Sequence, residues 1–74
     1  MDVNKAVKLF LSKFPGRIPI GYWVRNDIYI INTKPIKMIR GITAPSQFAV
    51  TKDGEVYGVN PMTYKLSIND MKKI

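Results

Sequence analysis

Cysteine and histidine are both missing from this 74-residue sequence. Without cysteine there are no disulfides, thiolate metal sites or cysteine nucleophiles, and without histidine there is no imidazole acid–base or metal chemistry. Acidic residues are also few, since Asp and Glu together number five. Most of these five stand where they cap a helix or form a turn, and nothing in the pattern brings two of them into one cleft. We therefore expect no enzymatic activity, no catalytic residues, no metal site and no cofactor.

Long apolar runs are missing as well. No stretch approaches the roughly 20 apolar residues that a membrane-spanning helix needs. The first residues also lack the apolar stretch and the small-residue cleavage site of a signal peptide. The sequence therefore predicts a cytoplasmic protein that does not enter the membrane.

The composition is that of a single folded unit. Hydrophobic residues make up 46% of the chain and charged residues 23%. A chain of this length buries only roughly 60% of the surface that it exposes when unfolded, so it holds one core at most. We expect residues 1–74 to form one domain.

Charge is strongly positive and unevenly distributed. Twelve Lys and Arg residues face five acidic ones, for a net charge of +7. Residues 1–45 carry eight basic and two acidic side chains, whereas residues 46–74 carry four and three. Such a balance favours acidic partners, which include nucleic acid and acidic protein surfaces, but it does not choose between them.

The first residues have the pattern of an amphipathic helix over residues 2–14. Asp2 is a suitable N-cap, and Pro15-Gly16 ends the helix. Three lysines project from the opposite, polar face. The apolar positions recur at the spacing of one helical face: Val3, Ala6, Val7, Phe10, Leu11 and Phe14.

Two β-hairpins follow the helix. Asn26-Asp27 and Asp53-Gly54 are turn dipeptides, and each stands between two runs rich in β-branched and aromatic residues. The predicted strands are near 18–25, 28–33, 47–52 and 55–59. After them, the tail predicts a short edge strand at 64–68 and a last helical turn.

Counting outward from each turn gives the strand register. In the first hairpin, Val24 pairs with Tyr29 and Tyr22 with Ile31, and since both faces of this hairpin are partly apolar, the buried face stays open. In the second hairpin, a two-residue loop pairs Val50 with Tyr57 and Phe48 with Val59, and leaves Ala49 and Val56 on the other face. The predicted core is Val3, Val7, Phe10, Phe14, Phe48, Val50, Tyr57 and Val59.

Together these elements predict an α+β domain. One N-terminal amphipathic helix packs on a four-stranded antiparallel sheet that is made of two hairpins. Between the hairpins, the connection from Thr33 to Ser46 is long for a compact domain, which is typical of a functional loop or of a loop with a short element of its own.

This connection is the predicted partner-binding site. It combines apolar and basic residues, and an apolar patch ringed by cations is typical of a surface that contacts an acidic-rimmed groove. The alternative is that most of its apolar side chains are tucked beneath the loop. The partner-binding residues are predicted to be Lys34, Ile36, Lys37, Met38, Ile39, Arg40 and Ile42.

Basic residues interleaved with aromatic ones also suggest nucleic-acid binding. A sheet that exposes aromatic rings can stack bases while cations neutralise phosphates. Most of the aromatic rings are needed in the core, and Trp23 is the ring expected to be exposed. The predicted nucleic-acid contacts are Lys5, Lys8, Lys13, Trp23 and Arg25, together with the basic residues of the loop, Lys34, Lys37 and Arg40.

The order of these features resembles a known layout. A capped helix that ends in Pro15-Gly16, followed by strands and by the segment from Lys52 to Pro61, is similar to PepSY-like domains, in which one helix packs on an antiparallel meander. The chain also resembles small proteins carried by phages and prophages of low-GC Gram-positive bacteria, where Gly-Tyr-Trp-Val segments like residues 21–24 recur. The abundance of Ile, Lys and Asn agrees with such a genome.

This resemblance implies a non-enzymatic module. PepSY-like domains are regarded as inhibitory or interaction domains, and small phage accessory proteins commonly bind host proteins. The resemblance does not identify any site residues in this chain. The missing secretion signal and the inserted loop from Lys34 to Pro45 depart from the PepSY pattern. We therefore predict a small phage-encoded accessory protein in the host cytoplasm that binds an acidic host protein, with nucleic-acid binding as the alternative.

Overall fold

The computed structural model describes residues 2–35 and 46–74, and it has one helix packed on an antiparallel sheet of five strands. The predicted α+β class is therefore confirmed. The strands follow the order β4-β3-β2-β1-β5 across the sheet. The elements are α1 (Val3–Lys13), β1 (Arg17–Arg25), β2 (Ile28–Pro35), β3 (Gln47–Val50), β4 (Val56–Val59), a 3₁₀ helix (Ile68–Asp70) and β5 (Lys72–Lys73).

α1 begins and ends where the sequence predicts. A side-chain oxygen of Asp2 accepts a hydrogen bond from the backbone N–H of Lys5 at 2.9 Å. This bond satisfies one of the N–H groups that the first turn of a helix leaves free. The helix ends at Lys13, and Phe14 caps it directly before Pro15, whose ring does not fit inside a helix.

α1 covers one face of the sheet, which we call the helix face. The ring centroid of Phe10 lies 5.1 Å from that of Phe48 and 5.7 Å from that of Phe14. Phe10, Phe48 and Val50 are buried here as predicted, Val7 and Phe14 pack against them, and Val3 is half-buried. The other members of this cluster are Ala6, Ile31, Leu9, Tyr22, Tyr29 and Val56.

The opposite face is also covered, by the chain that follows β4, and we call it the tail face. The indole Nε1 of Trp23 donates a hydrogen bond to the carbonyl oxygen of Ser67 at 2.8 Å, which ties the tail to β1. Both faces of the first hairpin are therefore buried, which resolves the choice that its alternation leaves open. The buried members are Trp23, Ile30, Ala49 and Val59, and Ile28, Tyr64, Leu66 and Met71 pack against them.

The register of the first hairpin is as predicted. Val24 pairs with Tyr29 and Tyr22 pairs with Ile31. The turn residues Asn26 and Asp27 have φ values of 49° and 66°. Two consecutive left-handed residues are what a two-residue type I′ turn requires, and its twist matches that of the flanking strands.

The turn of the second hairpin is one residue longer than the predicted Asp53-Gly54 loop. The backbone N–H of Gly54 donates to the carbonyl oxygen of Thr51 at 3.0 Å, and the N–H of Thr51 donates to the carbonyl oxygen of Glu55 at 2.9 Å. Gly54 has a φ of 88°, in the left-handed region that glycine adopts without strain. These features belong to a three-residue loop that ends in a left-handed residue.

The longer loop shifts the register between β3 and β4 by one residue. Val50 pairs with Val56, and Ala49 pairs with Tyr57. Because a one-residue shift moves every side chain of a strand to the other face, the predicted sides of β4 are wrong. Val56 packs on the helix face, Tyr57 lies 40% exposed instead of in the core, and Val59 is buried but on the tail face.

The predicted edge strand at 64–68 is wrong, because residues 64–67 lie in turns and irregular backbone and Ile68 begins a 3₁₀ helix. A helical turn does follow, at Ile68–Asp70. The strand contributed by the tail is β5, which pairs Lys72 with Tyr22 and Lys73 with Gly21. The sheet therefore has a fifth strand beyond the four predicted.

Candidate functional site: a basic end of the sheet

Strand direction gives the molecule two distinct ends. At one end β2 finishes and β3 begins, and there the backbone N–H of Thr33 donates to the carbonyl oxygen of Ser46 at 2.8 Å. β1 begins at the same end. Residues 36–45 are joined to the fold here, so we call it the loop end. The turns of both hairpins lie at the opposite end, which we call the turn end.

Four basic side chains mark the loop end. Lys13 is the last residue of α1, Arg17 is the first of β1, and Lys34 is the next to last of β2. Lys65 belongs to the compact turn that directly follows β4. Among the residues described, no acidic side chain lies at this end, since Asp2 caps the far end of α1, about 16 Å away at 1.5 Å per residue.

The remaining four carboxylates lie at the turn end. Three of them belong to the hairpin turns or flank them: Asp27, Asp53 and Glu55. The fourth, Asp70, has a carboxylate oxygen 3.8 Å from the guanidinium of Arg25, at the end of β1. Among the described residues, Arg25 and Lys52 are the cations next to these four carboxylates, and Lys5 lies beside Asp2 at the far end of α1. The molecule thus carries positive charge at one end and an acidic excess at the other.

Arg17 is the most firmly placed cation of the loop end. Its Nε donates to the hydroxyl of Thr33 at 2.8 Å, and that hydroxyl donates in turn to the carbonyl oxygen of Ser46 at 2.8 Å. The guanidinium carbon lies 5.6 Å from the ring centroid of Phe48, within the range of a cation–π contact. Within residues 2–35 and 46–74, the Nη groups make no further hydrogen bond. A guanidinium held in this way can bind a carboxylate with little loss of side-chain freedom.

The three lysines differ from Arg17 because they are exposed, and within residues 2–35 and 46–74 none of them pairs with an acidic side chain. Lys34 pairs across the sheet with Ile18, which is itself 38% exposed. This pair places an ammonium group and an apolar side chain side by side. A surface that combines the two suits a partner with both acidic and apolar groups.

Most of the predicted partner-binding loop lies outside the described residues. Lys34 is exposed and belongs to β2, so the predicted site begins inside a strand and not in a loop. The other predicted residues, which are Ile36, Lys37, Met38, Ile39, Arg40 and Ile42, fall in 36–45 and remain predictions.

The prediction that Trp23 is exposed is wrong. Its side chain is 4% exposed, and its Nε1 donates to Ser67 at the bottom of the tail face. A ring in this position cannot stack on a base. The sequence prediction failed because it assumed that only α1 packs on the sheet. In the structure the tail also packs on it and buries the opposite face, which includes Trp23.

Among the described residues, the other predicted nucleic-acid contacts do not form one continuous basic surface, and Lys37 and Arg40 lie outside the described residues. Lys5 and Lys8 are exposed along α1, and Lys13 is exposed at its loop end. Arg25 lies at the turn end, beside the carboxylate of Asp70. A protein that binds along a phosphate backbone needs a continuous positive surface, and here the carboxylate of Asp70 interrupts that surface.

Sequence reasoning missed Arg17 and Lys65 as members of this surface. Arg17 stands directly after the helix-ending Pro15-Gly16, and Lys65 stands shortly after the strand-ending Pro61. Their common position becomes visible only when the strand order is known, because α1, β1, β2 and β4 bring distant parts of the chain to one end. The sequence feature that could have identified Arg17 and Lys65 is their position shortly after a Pro that precedes or ends a predicted strand.

A small cleft opens at the turn end. It has a volume of about 260 Å³ and is lined by Val24, Asp27, Tyr29 and Lys52. In the described part of the chain, no three acidic side chains come together as a metal site would need. Nor is any described helix long and apolar enough to cross a membrane. The cleft offers one carboxylate and one ammonium group, and we assign no chemistry to it.

Comparison with protein-family models, with curated proteins and with solved structures gave no match for this chain. The resemblance to PepSY-like domains and to small phage proteins accordingly stays a prediction.

Proposed function

We propose that this chain is a small non-enzymatic interaction protein, a phage-encoded accessory protein of the host cytoplasm, and that its loop end binds an acidic surface of a host protein. The observation that carries this proposal is the separation of charge along the sheet. Lys13, Arg17, Lys34 and Lys65 stand at one end, while four of the five carboxylates stand at the other.

This separation favours one orientation of approach. An acidic partner is attracted by the loop end and repelled by the turn end, so encounter is steered before any contact forms. Arg17 then supplies a rigid guanidinium for a carboxylate, and Ile18 beside Lys34 supplies an apolar contact. The predicted loop residues Lys37 and Arg40 add two more cations to the segment that is joined to this end.

Charge reversal tests the proposal without disturbing the core. Lys13→Glu with Lys34→Glu changes two exposed side chains of the loop end, and Lys5→Glu with Lys8→Glu is a control with the same change in net charge on the outer side of α1. Each tagged protein is used to capture partners from a lysate of a low-GC Gram-positive host. We expect the wild type and the control to retain one stoichiometric protein and the loop-end variant to lose it.

The predicted loop is tested in the same way with Lys37→Glu and Arg40→Glu. If no stoichiometric partner is captured, or if the partner is indifferent to both loop-end changes, the proposal is wrong. Raising the ionic strength should weaken capture, because the contacts are exposed charges that salt screens.

Nucleic acid is the alternative partner, and a separate measurement distinguishes it. DNA binding that depends on several phosphate contacts falls by orders of magnitude between about 50 and 200 mM salt, with a slope near 0.9 per contact on duplex DNA and 0.7 on single strands. Single-stranded and duplex DNA are titrated at both salt concentrations by fluorescence polarisation of the labelled DNA. The buried Trp23 and the Arg25–Asp70 pair lead us to expect no such salt-sensitive binding.

A further inference from the structure

The two edges of the sheet are built differently. The outer edge on the β1 side is interrupted, because β5 covers only Gly21 and Tyr22, and the register of β1 breaks between Pro19 and Gly21. Proline lacks an N–H, and a break in register removes the regular spacing that a further strand would need. The two residues of β5 itself are lysines. Proline, irregularity and lysine are the devices by which edge strands avoid pairing with other chains.

The β4 edge has none of these devices. Its sequence is Val-Tyr-Gly-Val, and no described strand pairs with its outer side. The hydrogen bond from Thr51 to Glu55 fixes which backbone groups point outward. Since the direction alternates along a strand, Tyr57 points its backbone groups toward β3, and Val56 and Gly58 point theirs away from the sheet. These two residues offer two N–H donors and two carbonyl acceptors to another strand.

This edge is complementary to itself. If a second copy pairs its β4 antiparallel with the first, Val56 exchanges hydrogen bonds with Gly58 of the second copy. The two Tyr57 side chains then lie directly opposite each other on the tail face, and each Glu55 lies opposite a Val59. No like charges meet in this register. Two tyrosines facing each other across a strand pair form a favourable aromatic contact.

The neighbouring registers are less favourable. Moving the second strand by two residues in one direction sets Glu55 opposite Tyr57, and moving it in the other direction sets Val56 opposite Asn60. The register centred on Tyr57 is the one that sets the two tyrosine rings opposite each other, with Glu55 away from them. Its two-fold axis passes between the tyrosines, so the contact closes after two copies and does not continue into a fibre.

Charge near β4 also permits self-association. At the turn end of β4, Lys52 stands among Asp53 and Glu55, and Lys65 follows the other end of the strand, so the strand itself carries little net charge. Tyr57 is 40% exposed, so its ring is accessible to a second copy. An acidic foreign strand would instead meet two carboxylates at this edge.

From these observations we propose that β4 is a homodimerisation edge, at which two copies pair antiparallel with Tyr57 opposite Tyr57 and join their sheets into one. The interface is short, so we expect a weak dimer that forms only at high protein concentration. Sedimentation over about a hundredfold range of concentration should shift the mass from 8.4 kDa toward twice that value. This proposal does not depend on the loop end, and either can fail alone.

Cysteine cross-linking tests the register directly, because the natural chain contains no cysteine. Residues opposite each other at a non-hydrogen-bonded position have Cα atoms about 4.5 Å apart, within reach of a disulfide. We expect Tyr57→Cys to give a covalent dimer almost quantitatively on mild oxidation. Glu55→Cys should not, since its distance to the same residue of the second copy is about 13 Å at 3.3 Å per residue.

Two controls make the outcome decisive. Ile18→Cys has nearly the same exposure, 38% against 40%, but lies at the other edge and reports random collision. Tyr57→Lys sets two ammonium groups opposite each other and should abolish the mass shift, whereas Ile18→Lys adds the same charge and should leave it unchanged. Circular dichroism confirms that each variant folds. A wild type that stays at 8.4 kDa, or equal cross-linking of the variants at 57, 55 and 18, overturns the proposal.

Discussion

The two faces of the sheet bury similar kinds of side chains but are covered in different ways. α1 covers the helix face with a single regular element whose apolar spacing can be recognised in sequence. An irregular tail covers the other face through turns, a 3₁₀ helix and the two-residue β5. The difference shows that a sheet in a small domain can be buried on both sides although only one cover has a periodic pattern.

The largest expected effect concerns the helix face. Phe10→Ala removes a fully buried ring that contacts Phe14 and Phe48. We expect a loss of about 3–5 kcal/mol in the free energy of unfolding. That is a large share of the roughly 4–11 kcal/mol typical of a chain of this size. Urea denaturation followed by circular dichroism measures it.

Leu11→Ala is the matched control for this experiment. Leu11 is on the same helix and is 37% exposed, so its truncation should cost much less. Equal midpoints for the Phe10 variant and the parent protein would mean that the face of α1 is assigned wrongly.

The helix face and the first hairpin were predictable because their signals are local. Asp2, the apolar spacing and Pro15-Gly16 define α1 without any distant contact, and Asn26-Asp27 defines the first register. The register of the second hairpin could not be predicted, because Asp53-Gly54 is compatible with loops of two or three residues. The hydrogen bond between Thr51 and Glu55 decides between them only in the folded chain.

The tail face was beyond sequence reasoning for a different reason. Tyr64, Leu66 and Ile68 alternate like a strand, although Ile68 is 69% exposed and of these three only Tyr64 and Leu66 pack on the tail face. Trp23 is indistinguishable in sequence from an exposed ring. The charged loop end shares this difficulty, since its four cations come from four separate elements. Composition reveals the excess of positive charge, but strand order is needed to locate it.

A smaller effect tests the packing of the tail. A Cβ atom at Gly21 would overlap the thioether of Met71, which lies against β1. We expect Gly21→Ala to be destabilising, near the lower end of the roughly 1–3 kcal/mol that over-packing costs, because the half-buried thioether of Met71 must move aside. In Met71→Ala the obstructing side chain is gone, so adding Gly21→Ala to it should cost far less. Chemical denaturation of the two single variants and the double variant gives the coupling energy.

Gly16→Ala serves as the control for this cycle, because a Cβ there meets open space. Additive costs for the Gly21 and Met71 changes would contradict the contact. They would also mean that the tail does not pack on β1, and that the tail face is less well covered than the helix face.

The smallest effect lies where the tail meets β4. The hydrogen bond with Tyr64, followed by partial burial and the nearby charge of Glu55, raises the pKa of Tyr57 above its ordinary 10.0. A raised pKa means that the folded state favours the neutral hydroxyl. This contribution is therefore fully present below pH 10.0, where the unfolded chain also keeps its proton, and is lost as the pH rises through the folded pKa. Because Tyr57 is exposed, the effect on stability is small.

Alkaline titration of tyrosinate absorbance measures this effect. Tyr57→Phe should remove the tyrosine that ionises above pH 10.0, and Tyr64→Phe should return the pKa of Tyr57 toward that value by removing its largest cause. Melting temperatures of the wild type and Tyr57→Phe should converge as the pH rises, since ionisation and mutation remove the same bond. A late-ionising component that survives both substitutions would show that the raised pKa belongs to another tyrosine and that Tyr57 does not contact Tyr64. In that case the tail would be held to the sheet by Trp23, Leu66, Met71 and β5, and its contact with the sheet would end short of Tyr57.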